Sequence, residues 1–177
     1  MLTGVVHTAL QACDRSEYFT VGSCPSCGGI LSGYDSRTRQ FVVLRDDEQD
    51  HPVTVILHRA YCRSCGRICV PDEPFYPGTR VGSPVVDLCR VLAETMSCGR
   101  VATRLNQMGI VIDRWSVRSY VKKQLPPVRV VTAFGMRIPV TVISLSGLAG
   151  SHIHSGHTGG EDVLAACNYP SRSLPGP

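Results

Sequence analysis

The chain has 177 residues, of which 43% are hydrophobic and 6% aromatic, and its formal net charge is +4. This length suits one ordinary domain or two small ones, and the low aromatic content argues against a large aromatic core. No run of apolar residues approaches the ~20 that a membrane-spanning helix needs, so we predict no membrane partner.

Residues 1–19 form a weakly patterned lead-in. The run LQAC at 10–13 resembles a lipoprotein cleavage box, but no Lys or Arg precedes it, and His7 interrupts the apolar stretch. We therefore expect no signal peptide and predict a cytoplasmic protein.

Residues 20–72 are predicted to form a small antiparallel sheet. The segments 40–45 (QFVVLR) and 53–57 (VTVIL) are rich in β-branched and apolar residues, as strands are. The acidic run between them, 46–50, is typical of a solvated turn. Together these segments predict a hairpin whose ends carry cysteines.

The pattern CxxCG occurs twice around this hairpin, as CPSCG at 24–28 and CRSCG at 62–66. Two residues between the cysteines let both sulfurs face one ion, and the glycine permits a tight turn. Structural zinc takes four ligands tetrahedrally and is often held by thiolates. We predict a zinc ribbon with one structural Zn2+ ion. Its ligands would be Cys24, Cys27, Cys62 and Cys65.

Three other interpretations of these four cysteines were weighed against zinc. An odd total of nine cysteines argues against a fully paired disulfide framework. A redox CxxC of the thioredoxin type requires a βαβ setting, which is absent. An iron–sulfur cluster could also use four cysteines, but the long gap between the pairs is more typical of a ribbon. Two CxxC pairs also indicate a reducing compartment.

The remaining five cysteines receive weaker assignments. Cys13 and Cys69 could substitute as metal ligands, although neither belongs to a CxxCG turn. Cys89 lies on the apolar face of a predicted helix and is expected to be a small core residue. Cys98 and Cys167 receive no role.

Residues 73–82 hold several prolines and glycines and are predicted to be a linker. A helix-turn-helix domain is predicted over 83–125. Ser83 is expected to cap its first helix, with proline following it. Ser97 is expected to cap the second helix, which Gly109 ends, and Asp113 to cap the third.

The third predicted helix has one packing face and one basic face. Val117, Tyr120 and Val121 lie on the first, whereas Arg114, Arg118 and Lys122 recur every four residues on the other. The third helix of such a motif enters the DNA major groove. Arginine can form two hydrogen bonds with guanine, at O6 and N7, and lysine and serine more often bind phosphate. The predicted DNA contacts are Arg100, Arg104, Arg114, Trp115, Ser116, Arg118, Ser119, Lys122 and Lys123.

Beyond residue 125 the pattern weakens. Two prolines stop the third helix, and 140–143 is expected to be a strand. The rest of 126–177 is rich in Gly, Ser, Pro and His and is predicted to be a poorly ordered tail. The predicted fold class is therefore α+β, with a zinc ribbon, three helices and this tail.

The order of these parts resembles the N-terminal region of certain prokaryotic insertion-sequence transposases. The similarity covers roughly residues 20–125. It is carried by HRAYCRSCGRICVP, the proline-rich segment, and SPVVDLCRVLAETMSCGRVATRLNQMGIVIDRWSVRSYVKK. The resemblance implies recognition of the element's terminal double-stranded DNA, with the ribbon stabilising or extending the binding surface.

The same family would continue into an RNase H-like domain with three carboxylates and two metal ions. In this chain 140–146 could be its first strand, but serines stand where an acid is needed. After Asp113 the only carboxylates are Glu161 and Asp162. We therefore predict no catalytic residues and no strand-transfer activity, and a truncated or frame-shifted transposase fits best.

Two other functions remain open at this point. A transcriptional regulator with its own operator would use the same parts. It would be favoured by a dimerisation element, which the sequence does not clearly show, although a homodimer is compatible with it. A zinc-stabilised protein-interaction module would use the ribbon without DNA contact. A metalloenzyme is disfavoured, because four thiolates leave no open position on the ion.

Overall fold

The computed structural model describes residues 2–133, 135–151 and 158–167. Their mixed α and β structure confirms the α+β class. The helices are α1 (Leu2–Gln11), α2 (Ser83–Leu92), α3 (Cys98–Gln107), α4 (Arg114–Lys122), α5 (Val140–Ser151) and α6 (Gly160–Ala166). The strands are β1 (Ser16–Phe19), β2 (Leu31–Asp46), β3 (Gln49–Cys62), β4 (Ile68–Cys69), β5 (Val130–Ala133) and β6 (Met136–Pro139).

A long hairpin of β2 and β3 organises the larger sheet. Its two strands are antiparallel and are joined at Asp47 and Glu48, which both have positive φ, 42° and 68°. Such a turn matches the right-handed twist of a hairpin. The hairpin was predicted correctly, but its strands extend well beyond 40–45 and 53–57, and the turn is shorter than 46–50.

The lead-in 1–19 has more structure than the sequence analysis anticipated. Helix α1 buries Val6, Ala9 and Leu10, which follow helical spacing. Strand β1 then pairs with β3 in parallel and buries Tyr18. Both elements therefore add to the main core.

The segment 73–82, predicted to be a linker, packs against the hairpin. Phe75 is buried edge-on against Phe41, with ring centroids 5.7 Å apart. Arg39 stacks over the Phe75 ring and pairs with Glu73. Gly82 donates its N–H to the Phe41 carbonyl, and a Cβ there would overlap the Phe41 ring. This segment is therefore held on the sheet by aromatic packing.

Helices α2, α3 and α4 occupy the predicted positions, and each contacts the other two. The Ser97 side chain accepts a hydrogen bond at the start of α3, and Asp113 does so at the start of α4, as predicted. The prediction for α2 was wrong in one respect. Gly82 is the N-cap residue, and Ser83 is already helical and buried.

The prediction of a poorly ordered tail over 126–177 was wrong for much of 126–167, because these residues form strands and helices that pack into the core. Strands β5 and β6 form a hairpin, and α6 contacts both β1 and α5. Ile138 and Val163 are buried in the main core. Residues 134, 152–157 and 168–177 of the predicted tail lie outside the described residues.

The strand predicted at 140–143 is also wrong, because these residues open helix α5. A short apolar run fits a buried helix as well as a strand, so periodicity does not separate them. In the structure Val142 and Leu145 are buried, and α5 packs against α1. The Thr141 hydroxyl also donates to the buried Asp87 carboxylate on α2, at 3.2 Å.

The hairpin joins two regions with different interiors. The helical end comprises 41–57 of the hairpin and the helices packed on it, and it holds the main core. The cysteine end comprises the two CxxCG turns, β4 and the adjoining strand ends, and its small cluster contains Cys24, Cys62 and Cys69. From residue 31 to residue 44, β2 spans about 40 Å. Among the described residues no helix is long and apolar enough to cross a membrane.

Candidate metal centre

The two CxxCG turns have the same backbone geometry. Gly28 donates its N–H to the Cys24 carbonyl at 2.8 Å, and Gly66 donates to the Cys62 carbonyl at 3.0 Å. Both glycines have φ of 72°, a conformation that disfavours other residues. The glycine of each pattern therefore shapes the turn that presents its two sulfurs.

Strand pairing brings the two turns together. Leu31, just after the first turn, pairs with Cys62, the first residue of the second. Arg63 donates its N–H to the Ile30 carbonyl at 3.2 Å. The hairpin register therefore fixes the distance between two cysteine pairs that are far apart in the sequence.

The four predicted ligand sulfurs lie within 4.8 Å of one another. Cys24 Sγ is 3.7 Å from Cys65 Sγ, and Cys27 Sγ is 3.5 Å from Cys62 Sγ. Zinc–sulfur bonds of about 2.3 Å in a tetrahedron place sulfurs about 3.8 Å apart. The four cysteines are therefore compatible with a metal site of one ion.

The local hydrogen bonds affect the acidity of these thiols. Backbone N–H groups, with that of Ser26 as the main donor, lower the pKa of Cys24 to about 6, and N–H groups led by that of Cys65 lower the pKa of Cys62. At Cys27 the Gly29 amide acts in the same direction, but the neighbouring sulfurs outweigh it and raise the pKa to about 12. The backbone hydrogen bonds therefore favour the thiolate, the form that binds a metal ion, at Cys24 and Cys62.

Gly29 lies at the contact between the two turns. A Cβ at this position would overlap the side chain of Ser64 and would lie 3.1 Å from the Cys62 sulfur. Only glycine therefore leaves room for the second turn to approach. The second glycine of the CGG run at 27–29 is the sequence signal for this requirement, and the sequence analysis did not use it.

The other cysteines divide between the two regions. Cys13, Cys89 and Cys167 are buried in the main core, and Cys98 packs against it. Cys13 therefore lies away from the four-sulfur cluster, and Cys89 is the small core residue that the sequence predicted. Cys69 alone of these five joins the cysteine end, where its sulfur is 4.0 Å from that of Cys24.

The structure exposes most of the residues predicted to contact DNA. The exposed ones are Arg100, Arg104, Arg114, Trp115, Arg118, Ser119 and Lys122. Ser116 and Lys123 are half-buried, and the Ser116 hydroxyl donates to Asp113 at 2.7 Å. Ser116 therefore helps to cap α4, a role that the sequence analysis did not assign to it.

Helix α4 has one buried face and one cationic face. Val117 and Tyr120 are buried against the core, whereas Arg114 stacks over the Trp115 ring at 4.8 Å. Trp115 is 62% exposed. None of the described residues forms an ion pair with the arginines or the lysine of this helix.

The turn between α3 and α4 is fixed from two sides. The Asn106 amide donates to the carbonyls of Ala102 and Ile112, at 2.8 and 2.6 Å. On the other side, Arg45 donates its N–H to the Gly109 carbonyl at 2.8 Å. These bonds hold α4 in a defined orientation relative to both α3 and the hairpin.

Protein-family models, curated proteins and solved structures were compared with the chain. None of them matches.

A group of exposed apolar side chains was missed by the sequence analysis. Most of it surrounds the cysteine end, where Val21 is 73% and Ile30 is 75% exposed. The group comprises Phe19, Val21, Ile30, Tyr34, Tyr61, Ile68 and Val70. Their exposure depends on strand pairing and on position in the sheet, which the sequence pattern does not show.

Proposed function

We propose that this protein is a zinc-containing DNA-binding protein whose reading element is α4. The observation that carries the proposal is the exposed cationic face of that helix, whose Arg114, Arg118 and Lys122 form no ion pair with any residue that the structure describes. The opposite face is buried, so the basic side chains project from a fixed support. Duplex DNA presents the phosphates and guanine edges that such side chains bind.

The arrangement of α2, α3 and α4 supports a helix-turn-helix motif. The three helices contact one another, and a short turn at 108–113 joins α3 to α4. In this motif the last helix lies in the major groove while the preceding helix approaches the backbone. Arg100 and Arg104 are exposed on α3, where they would hold flanking phosphates.

The cysteine end is proposed to be a zinc ribbon with one structural Zn2+ ion. Tetrahedral sets of four sulfurs suit zinc or iron–sulfur chemistry. The Sγ–Sγ separations of 3.5 and 3.7 Å match the edges of a tetrahedron around a single ion. Bound there, zinc supplies folding energy, and four protein ligands leave no open position for catalysis.

The resemblance to transposase N-terminal regions suggests which DNA is bound. By that resemblance the target is the terminal sequence of a mobile element. We propose no catalytic centre among the described residues, so the proposed role of the protein is to recognise DNA. A transcriptional regulator would use the same helix on its own operator.

A salt titration of duplex binding tests the proposal. Neutralised phosphates release counterions, so three phosphate contacts on α4 would contribute about −2.7 to the slope of log K against log salt, and contacts from Arg100 and Arg104 would make the slope steeper. Arg118→Ala should reduce the magnitude of the slope by about 1 and weaken binding, while the fold is retained because the side chain is exposed. Fluorescence anisotropy with a labelled 30-base-pair duplex measures both quantities.

Arg37→Ala is the matched control. It removes the same charge from an exposed position in the middle of the hairpin, away from α4. It should change affinity and slope much less than Arg118→Ala. Equal losses in the two variants would place the interface elsewhere, and unchanged binding by Arg118→Ala would reject α4 as the reading helix.

A zinc-stabilised protein-interaction module is the second candidate. The exposed apolar group at the cysteine end favours it, since such patches often mark binding surfaces. This candidate requires no affinity for duplex DNA. Wild-type protein that carries zinc but shows no salt-dependent DNA binding would support it over the first proposal.

A further inference from the structure

A fifth sulfur lies beside the four predicted metal ligands. Cys69 belongs to β4, which pairs with β3 so that Cys69 stands opposite Ala60. Its side chain is 6% exposed and faces the small cluster that contains Cys24, Cys62 and Leu31. A buried thiol is thus held next to the metal site by strand pairing.

The position of this sulfur resembles that of a ligand. Cys69 Sγ is 4.0 Å from Cys24 Sγ, close to the ~3.8 Å edge of a zinc–sulfur tetrahedron. It is nevertheless outside the set of sulfurs that all lie within 4.8 Å of one another. Cys69 is therefore adjacent to the metal position without being one of the four closest donors.

We propose that Cys69 is an alternative metal ligand that takes the place of Cys65. This inference rests on the proposed metal centre. It adds that the centre contains five thiols, any ion being held by Cys24, Cys27, Cys62 and either Cys65 or Cys69. Binding through Cys69 requires its thiol to lose a proton to solvent, and the released Cys65 sulfur gains one.

The geometry selects Cys65 as the ligand that is replaced. Both Cys65 and Cys69 neighbour the Cys24 sulfur, at 3.7 and 4.0 Å. Cys62, in contrast, is fully buried and pairs with Cys27 at 3.5 Å on the other edge of the set. Cys65 is exposed, so solvent reaches the ligand that leaves.

Metal content of four full-length proteins tests the inference. Wild type, Cys65→Ser, Cys69→Ser and the double variant are purified with zinc, and zinc per chain is measured by mass spectrometry. We expect about one zinc per chain in the first three and loss of zinc only in the double variant. Cys65→Ser combined with Cys98→Ser is the matched control, and it should keep its zinc.

Cobalt substitution distinguishes the ligands directly. Thiolate-to-cobalt charge-transfer absorption grows with the number of thiolates bound. Cys65→Ser should absorb as strongly as wild type, because Cys69 supplies the fourth thiolate. A weaker band, equal in Cys65→Ser and in the double variant, would overturn the inference.

Alkylation of the wild-type holoprotein covers the case in which Cys65→Ser does not fold. Cys27 and Cys65 are both exposed, so after limited iodoacetamide treatment the modified residue is assigned by peptide mass mapping. Chains modified at Cys65 alone should retain zinc in wild type but release it in Cys69→Ser. Equal release from both proteins would reject Cys69 as a ligand. Wild-type protein that binds no metal at all would instead reject the proposed metal centre.

Discussion

The cysteine end and the helical end share one hairpin but have different sources of stability. At the helical end, residues from all six helices and from strands β1, β2, β3 and β6 bury apolar side chains together. At the cysteine end the buried cluster contains three cysteines, with Leu31 partly buried against them. So small an apolar cluster contributes little burial energy, and metal coordination is the expected substitute. One sheet can thus be stabilised by two unrelated interactions.

The largest expected effect comes from removing a ligand at the cysteine end. Cys62→Ser replaces a fully buried sulfur of the four-sulfur set. Even changes outside the ligand set cost about 10–100-fold in metal affinity, so a direct ligand should cost more. Hydrogen exchange should show loss of protection at 31–34 and 59–62, with protection retained at 101–105.

Cys98→Ser is the control for this prediction. It removes a half-buried thiol that lies on α3 at the helical end. Its metal content should equal that of wild type. If Cys62→Ser exposed both ends of the hairpin to exchange equally, the separation between the two regions would be wrong.

The next largest effect is expected from a substitution in the main core at the helical end. Leu105 is completely buried on α3, and Leu105→Ala should lower the free energy of unfolding by about 2–5 kcal/mol. Zinc per chain in the native state should not change, since Leu105 lies in the main core and the cysteines form a separate cluster. Urea unfolding followed by circular dichroism measures the loss. Leu105→Met, which keeps the volume, should cost less than about 1.5 kcal/mol.

The smallest expected effect concerns the cap of α4. The Asp113 carboxylate accepts hydrogen bonds from the N–H groups of Trp115 and Ser116, at 2.8 and 2.9 Å. Asp113→Ala should destabilise the protein by about 1 kcal/mol, whereas Asp113→Asn should retain most of the cap. Urea unfolding at neutral pH compares the two. A cost for alanine no larger than that for asparagine would show that the cap contributes nothing.

The same cap predicts a pH dependence of known sign. The Ser116 hydroxyl, together with the backbone N–H groups, lowers the pKa of Asp113 below 3.8. A lowered folded-state pKa means that its stabilisation is complete above 3.8 and is lost as the pH falls through the lower value. The difference between wild type and Asp113→Asn should therefore change only in that acidic range.

Features set by neighbouring residues could be predicted from the sequence. The CxxCG spacing placed four cysteines around one site, and the caps at Ser97 and Asp113 marked the starts of α3 and α4. Each of these signals depends on contacts within a few residues. The register of the hairpin then brings the two CxxCG turns together, since the pairing of Leu31 with Cys62 sets the distance between them.

Features set by distant contacts could not be predicted in the same way. The β-branched run that begins α5 favours a strand locally, and packing against α1 outweighs that preference. The burial of Phe75 depends on Phe41, which lies 34 positions earlier in the sequence. Cys69 joins the small cluster with Cys24 and Cys62 only because β4 pairs with β3.

Hydrogen bonds between the α3–α4 turn and β2 couple the orientation of α4 to that of the hairpin. The Arg45 N–H donates to the Gly109 carbonyl, and the Val111 N–H donates to the Val43 carbonyl, so α4 and the hairpin are expected to rotate together. Because β2 spans about 40 Å from residue 44 to residue 31, a rotation of roughly 10° at α4 moves the cysteine end by about 7 Å. If α4 binds DNA as proposed, a small rotation of α4 on the duplex would therefore move the four-cysteine set by several ångströms relative to the DNA, a displacement measurable between one fluorophore at the cysteine end and one on the duplex.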